Sequence, residues 1–285
     1  MLKGEQIHFT YGAGTANEKH VLRNISFQIK EGDFIGLIGA SGSGKTTLVK
    51  HMNGLLRATE GGLYFRKENV YGRKYPLSKL RKEVGLVFQY PEQQLFEKTV
   101  LKDVMYGPCN LGMTREEAEA SAKESLCQVG IDGSYYHVSP LELSGGQKRS
   151  VAIAGVLAMN PSILILDEPA AGLDPYTKRQ VFDLILNIQK RRNLAVVLVS
   201  HHMEDVAAYT NKVWVMHKGE LVLQGNPMEV FSQTKRLKEL NIGVPQITSV
   251  TEKLIEQGIH LERAAISVDD AEKMILQMWK RRIAR

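Results

Sequence analysis

The stretch FIGLIGASGSGKTT, Phe34–Thr47, decides how this chain folds. Phe34–Ile38 is a short apolar run ending in Gly39, which reads as a buried strand, and from Lys45 the pattern becomes helical. Gly39-x4-Gly44-Lys45-Thr46 between a strand and a helix has the Walker A spacing. Glycines 39, 42 and 44 let backbone N–H groups curl around a phosphate with no Cβ in the way, and Ala40, Ser41 and Ser43 complete the loop. The helix that follows aims its positive end at the same anion. Lys45 is the candidate contact to the β- and γ-phosphates of ATP; Thr46, with Thr47 beside it in the nucleotide site, is the candidate Mg²⁺ ligand.

Downstream, Ile163–Leu166 carries Asp167 and Glu168 to the C-terminal end of a second buried strand, where open α/β sheets hold their ligands. Adjacent carboxylates at a strand end point in different directions and can divide labour. Asp167 is the candidate to hold Mg²⁺, directly or through water, and Glu168 the candidate general base that orients the attacking water. Gln89 follows the strand Val84–Phe88 and precedes Tyr90-Pro91, placed to reach both metal and water. His201 follows the strand Val196–Ser200; as a neutral imidazole it can hydrogen-bond the γ-phosphate, whereas His202 reads as a polar residue at a helix start.

Composition bounds the reading. The 285 residues suffice for one large core and a small appendage, with hydrophobic and charged fractions of 43% and 24% typical of a soluble protein. No apolar run approaches the roughly 20 residues a bilayer crossing needs, and MLKGEQIHF lacks the form of an export signal. Cys109 and Cys127, without CxxC spacing, suit a reducing cytosol. Of the net charge of +6, four units come from Lys280, Arg281, Arg282 and Arg285, leaving +2 elsewhere, so no nucleic-acid footprint is expected and the basic tail reads as a solvated terminus, with an anionic membrane face as the alternative.

Strands Ile7–Thr10 and Ile25–Ile29 precede the phosphate loop. Residues of about 97–160 read as an inserted helical subdomain, with Thr114-Arg-Glu-Glu117 as a capping box opening a helix that Gly130 stops. A further helix is expected after the segment LSGGQ, Leu143–Gln147, running through Val151–Met159 until Pro161. Strands then alternate with helices, including one over Tyr176–Arg192 and one from Met203, and the strands stop near Pro227. Ser267 resembles an N-cap for a last helix to Trp279 or beyond. The expected organisation is residues 1–230 as the ATP-binding domain and 231–285 as a small helical appendage.

On these residues the chain resembles the ATP-binding cassette (ABC) family from Ile7 to about Gln233. The resemblance implies a P-loop NTPase α/β fold with a mainly parallel sheet, an N-terminal antiparallel β part, an inserted helical subdomain and a small helical C-terminal appendage. It makes Gln89 the Q-loop glutamine and a metal ligand, Ile163–Asp167 the Walker B strand, Ala171-Gly-Leu-Asp174 the D-loop with Asp174, His201 the switch histidine, and Tyr11 the aromatic that stacks on adenine. It also implies that Ser144, Gly145 and Gly146, followed by Gln147, bind the γ-phosphate held by an opposite subunit, so that two chains clasp two ATP.

Within the family, QYPEQQLF (Gln89–Phe96), YGPCNLGM (Tyr106–Met113) and SVAIAGVLAMNP (Ser150–Pro161) are similar to the energy-coupling-factor (ECF) or CbiO-type ATPases. The segment Gly14–His20 is similar to the second A-type paralogue, which pairs with a first. This implies a heterodimer, with a homodimer as the alternative, at the cytoplasmic face of the cell membrane. A T component would dock near Gln89–Phe96, and an S component would capture a vitamin or a transition-metal ion. Ser150 stands where the family commonly has a second basic residue, a departure that bears on a local salt bridge or on communication through the signature helix and not on ATP binding, and Ala170 stands where Thr usually follows DEP. The rival readings are a soluble ABC ATPase of DNA repair or chromosome organisation and the ATPase of another importer class. Against the first, about 100 residues separate Lys45 from Ser144, with no sustained heptads and no cysteine ligands.

Overall fold

The structure is a computed structural model that describes the backbone of residues 1–283 and the side chains of residues 1–280. The tail residues Arg281, Arg282 and Arg285 read in the sequence lie outside the described side chains. In chain order the elements begin with β1 (Leu2–Tyr11), β2 (Lys19–Ile29), β3 (Phe34–Gly39), α1 (Lys45–Met52), β4 (Glu60–Phe65), β5 (Glu68–Asn69), α2 (Leu77–Glu83) and β6 (Val84–Val87). Next come α3 (Val100–Asn110), α4 (Arg115–Gln128), α5 (Gly145–Leu157), β7 (Ile163–Asp167), α6 (Pro175–Arg192) and β8 (Ala195–Val199). Then follow α7 (Met203–Tyr209), β9 (Lys212–His217), β10 (Glu220–Gly225), α8 (Pro227–Phe231), α9 (Thr234–Glu239), α10 (Gln246–Glu256) and α11 (Val268–Ile283). The class is α/β, and the chain divides into two compact units, Met1–Asp33 with Thr46–Val199 and Phe34–Lys45 with Ser200–Arg285.

The first unit contains an antiparallel sheet in the order β2-β1-β4-β5. In it Leu2 pairs with Ile29 on one side and with Phe65 on the other. Its strands bury one face, as polar and apolar residues alternate. Strands β6, β7 and β8 run parallel, with Val87 opposite Leu166 and Asp167 opposite Val199. Every residue of β7 and β8 is buried, which is why these strands read as unbroken apolar runs. The parallel pairing places their C-terminal ends on one edge, and Asp167 is the last residue of β7.

Between β6 and β7 the chain is helical. The Thr114 hydroxyl accepts from the Glu117 N–H at 3.2 Å while the Glu117 carboxylate accepts from the Thr114 N–H at 2.9 Å, the reciprocal box the sequence predicts. Gly130, at φ 79°, takes the left-handed conformation just past the helix end. One expectation is corrected. Helix α5 does not follow LSGGQ but begins inside it: Ser144 is the N-cap, and the helix ends at Leu157, ahead of Pro161.

In the second unit β3 lies parallel to β9, with Leu37 opposite Trp214, and β10 runs antiparallel to β9. Helices α7, α8 and α9 pack against them through Val206, Phe231 and Leu237, all fully or almost fully buried with Ile38, Val213 and Val215. The chain after α9 is held by polar groups. The Thr248 hydroxyl donates to the Ala265 carbonyl at 2.7 Å, and the Thr251 hydroxyl accepts from the Ala265 N–H at 2.9 Å. Ser267 caps α11 by accepting from the Asp270 N–H at 3.1 Å. Arg263 grips both Asp270 oxygens at 2.7 and 2.8 Å and holds that carboxyl below its usual range. A groove of about 890 Å³ lies along α11, lined in part by Ile259, Leu261, Met274 and Met278, with Trp279 at its edge and 61% exposed.

Replacing Thr114 by alanine removes the hydroxyl that accepts from the Glu117 N–H and leaves only the other half of the α4 box, the residue-114 N–H donating to the Glu117 carboxylate. The expected outcome is a loss of about 1 kcal/mol of unfolding free energy with an unchanged denaturant slope, read from a urea titration.

Candidate nucleotide site

The phosphate loop belongs to the second unit, from Gly39 at the end of β3 to Lys45. Gly39 is required by space: a Cβ there would overlap the Met216 carbonyl oxygen and lie 2.7 Å from Ser43 Oγ. Gly42, at φ 76°, supplies the left-handed turn that brings successive N–H groups to one side. The loop is braced by Ser43 N–H donating to Ala40 O at 3.1 Å and by Gly219 N–H donating to Ser43 O at 3.0 Å. The Lys45 ammonium donates to the carbonyls of Gly39 and Ala40 at 2.7 and 3.1 Å, so its charge stands over the loop. Ser43 is buried, and its Oγ has no hydrogen-bond partner among the described residues. A backbone cradle open to glycine alone, an ammonium over it and an unpartnered hydroxyl fit a phosphate chain.

His201 follows two residues after β8 in the chain. Its ring lies 4.3 Å from that of His202, which occupies the N-cap position of α7 and donates its N–H to Ser200 Oγ at 3.0 Å. The helix-start reading of His202 thus agrees with its place.

In the first unit the Thr46 hydroxyl lies 3.4 Å from Asp167 Oδ2, across 121 residues of sequence. A hydroxyl and a carboxylate are the hard oxygen donors that Mg²⁺ takes, with nucleotide phosphates and water completing its shell. Two such donors leave most of a six-oxygen shell to be filled by phosphate and water, so the pair fits a metal bound together with a nucleotide. Gln89 lies two residues beyond the end of β6, the neighbour of β7. The next residue, Tyr90, turns the chain with φ 54°.

Glu168 adopts φ 51°, a left-handed conformation unusual for a glutamate, and its N–H donates to the Val199 carbonyl at 3.0 Å. Strain of this kind, of order 1–3 kcal/mol, persists where surrounding structure over-determines it and clusters at functional positions. Here it swings Glu168 out of the line of β7 that Asp167 ends.

Tyr11 ends β1 with its ring 40% exposed and its hydroxyl 3.5 Å from Thr47 Oγ1. Behind it Phe9 packs edge-on, with ring centroids 4.7 Å apart, and His51 packs edge-on to Phe9 at 4.6 Å. Burial lowers the His51 pKa, and its Nδ1 faces the Thr47 carbonyl at 2.8 Å. This stack supports an aromatic face one residue from the Thr46 hydroxyl, and the sequence reading missed His51.

In the signature segment the Ser144 hydroxyl accepts from the Gln147 N–H at 3.3 Å, and Gln147 Oε1 accepts from the Ser144 N–H at 3.0 Å. Gly145 and Gly146 therefore stand in the first turn of α5 with N–H groups that no intrahelical carbonyl takes, and the Ser144 O–H retains a proton to donate. Asp174 caps α6, accepting from the Tyr176 and Thr177 N–H groups at 3.0 Å each, and these bonds with Thr177 hold its carboxyl below the usual range.

The sequence reading also missed two side chains that hold the segment after Gln89. Arg149 is 2% exposed and donates from Nε and Nη2 to Glu92 at 2.9–3.1 Å and from Nη1 to the Ala171 carbonyl at 3.0 Å. Asp103 Oδ2 accepts from the N–H groups of Phe96 and Glu97, both at 2.8 Å, while burial pushes its carboxyl above its usual range. Two residues of a long-range ion pair separated by 57 positions leave no periodic trace in a single sequence.

The chain matches the profile of the ABC transporter family over residues 22–171. It is 45% identical over 276 residues to the energy-coupling factor transporter ATP-binding protein EcfA2 of Caldanaerobacter subterraneus subsp. tengcongensis, covering 97% of this chain and 96% of that protein. The solved structure of CbiO1 from Clostridium perfringens, part of the ABC transporter complex CbiONQ, superposes with a TM-score of 0.74 at 37% identity, covering 88% of this chain and 98% of that one. The ATP-binding cassette MJ0796, in a dimeric post-hydrolysis state bound to ADP and Pi, superposes with a TM-score of 0.70 at 29% identity, covering 80% of this chain and 99% of that one. The chain belongs to the ABC transporter family, and its fold is that of the ATP-binding cassette. Within the family it stands with the ATP-binding proteins of energy-coupling factor transporters, and with their second paralogue.

Gly39→Ala places a methyl against the Met216 carbonyl. The expected outcome is ATP binding weakened at least about tenfold, a cost of about 1.4 kcal/mol or more, measured by fluorescent-nucleotide titration, with a lowered melting temperature because the backbone of β3 or β9 must shift to admit the methyl.

Proposed function

We propose that this chain is the ATP-binding and ATP-hydrolysing subunit of an ECF-type importer that drives uptake of a vitamin or a transition-metal ion. The observation that carries the reading is the approach of the Thr46 hydroxyl to Asp167, which joins the end of the phosphate loop sequence to the carboxylate of β7. The match to an EcfA2 protein over 97% of the chain supports the importer class over a soluble ABC ATPase of DNA repair.

The residues divide the work as follows. Tyr11 stacks on adenine; the loop from Gly39 to Gly44, with Lys45 and Thr47, holds the phosphates; Thr46, Asp167 and Gln89 hold Mg²⁺. When bound, Mg²⁺ neutralises charge on the β- and γ-phosphate oxygens. Glu168 orients the water that attacks the γ-phosphorus, in line with the leaving ADP oxygen, and accepts its proton, while His201 hydrogen-bonds the γ-phosphate and holds the Glu168 arrangement. Ser144, Gly145 and Gly146 donate to the γ-phosphate held by a second ATPase, and Asp174 lies in the loop facing that partner. ATP then favours the closed pair of chains and ADP the open one, and this differential affinity drives the membrane partner.

The second ATPase is a paralogue in the favoured reading, held also by the appendage 231–285 beyond the ATP-binding domain 1–230. The exposed apolar surface of Leu276 and Trp279 on α11 suits that role. The T component docks at Gln89–Phe96. Phe96 is 64% exposed and packs edge-on to the half-exposed Tyr106 at 4.8 Å, an apolar patch beside the docking segment. No described helix is long and apolar enough to cross a membrane, which suits a peripheral subunit on the cytoplasmic face that reaches the S component indirectly.

Glu168→Gln removes the base and keeps the shape. Turnover is expected to fall by about 10²–10⁴, and size-exclusion chromatography with ATP should show a stable dimer of cassettes. A monomer under all nucleotide conditions would count against the sandwich. Purified from detergent-solubilised membranes, the tagged chain should bring down a second cassette and a small integral membrane protein identified by mass spectrometry; recovery of DNA or ribosomes instead would overturn the importer assignment.

A further inference from the structure

We infer that Arg149 is a positioning residue that locks the membrane-docking segment, the signature helix and the D-loop into one moving body. The inference rests on the importer reading above and deepens it. Arg149 lies on the first turns of α5, one helical turn beyond the Gly145 and Gly146 amides. Its guanidinium is almost wholly buried and uses all three of its nitrogens: Nε and Nη2 fork onto the Glu92 carboxylate, and Nη1 reaches Ala171 O. Glu92 belongs to the short 3-10 turn Pro91–Gln94 of the docking segment, and Ala171 opens the D-loop. At the far end of the same segment Asp103 of α3 accepts from the Phe96 and Glu97 amides. The segment is therefore tied at both ends to helices α3 and α5. Where it leaves β6, by contrast, the chain passes through the left-handed turn at Tyr90.

A displacement of the docking segment by a membrane partner is then delivered to the N-terminus of α5, whose amides must meet a nucleotide to within fractions of an ångström. Arg149 touches no reacting atom and acts through Ser144–Gly146 on one side and Ala171 on the other. Lysine cannot replace it, because a single ammonium lacks the planar fork that serves a carboxylate and a carbonyl at once. Ser150, next in the chain, brings no second cation to share the task.

The test uses the full-length chain assembled with its co-purifying membrane subunits, and compares R149K, E92Q and the double variant E92Q/R149K by steady-state ATP hydrolysis. A positioning role predicts that KM for ATP stays within about twofold of the parent, while kcat falls about 10- to 100-fold in R149K, the cost of a small misplacement. E92Q should fall in the same direction, and the double variant should be no worse than R149K, because both changes break one linkage. Unchanged kcat in R149K, a rise in KM alone, or losses that multiply in the double variant would each overturn the inference. If R149K shows no cooperative thermal melt, E92Q decides by the same split of kcat from KM. Co-purification and ATP hydrolysis by the parent complex test the importer reading separately, so failure of one is distinguished from failure of the other.

Discussion

Backbone amides can hold a triphosphate only where no side chain stands between them and the anion, and that constraint is met at the junction of β3 with the phosphate loop. Gly39 passes so close to the Met216 carbonyl of β9 that a single methyl group cannot be inserted. Gly39 and Met216 are register partners near the C-terminal ends of adjacent parallel strands, and at the Gly39 φ of 156° a Cβ would point straight at that carbonyl. The loop is thereby anchored to a buried strand pair, and its N–H groups are organised before a ligand arrives. Preorganisation of this kind is what makes fixed dipoles effective against a developing charge.

The carboxylates use the same device with a different cost. Asp167 is the last residue of a fully buried strand, so its position is set by the register of β7 between β6 and β8. Glu168 follows directly but in a left-handed conformation that a glutamate does not choose in isolation. The hydrogen bond from its amide to the Val199 carbonyl holds the turn, and the buried sheet supplies the stability against which the strain is set. Two adjacent acids thus acquire different directions and, in the function proposed, different duties.

The signature segment shows how a polar motif can be both structural and available to a ligand. Ser144 and Gln147 satisfy each other at the start of α5, which is why the helix begins within the motif and not after it. The glycines between them keep first-turn amides that no helix carbonyl can reach. Their aim is set by α5 as a rigid rod, and α5 is in turn fixed by the buried fork of Arg149 on Glu92. Asp174 is likewise a cap in its own chain, so its structural duty alone accounts for its geometry.

Much of this was legible in the order of residues. The phosphate loop, the Walker B acids, the α4 capping box and the Ser267 cap depend on neighbours within a few positions, and local chemistry specifies them. The strands β7 and β8 announced themselves because burial on both faces demands continuous apolar runs. Strands β4 and β10 did not: β4 has glycine at its second and third positions, and β10 has no fully buried residue, so neither carries a strong period. Strand β1 is longer than Ile7–Thr10 because an irregularity at Gln6, with φ 47°, breaks its alternation. What only the tertiary structure decided is the set of contacts between distant positions: Thr46 with Asp167, Arg149 with Glu92 and Ala171, and His51 behind Phe9 and Tyr11. Such pairs are joined by packing and desolvation across tens to more than a hundred residues, and no periodicity along the chain encodes which partner a buried polar group will meet.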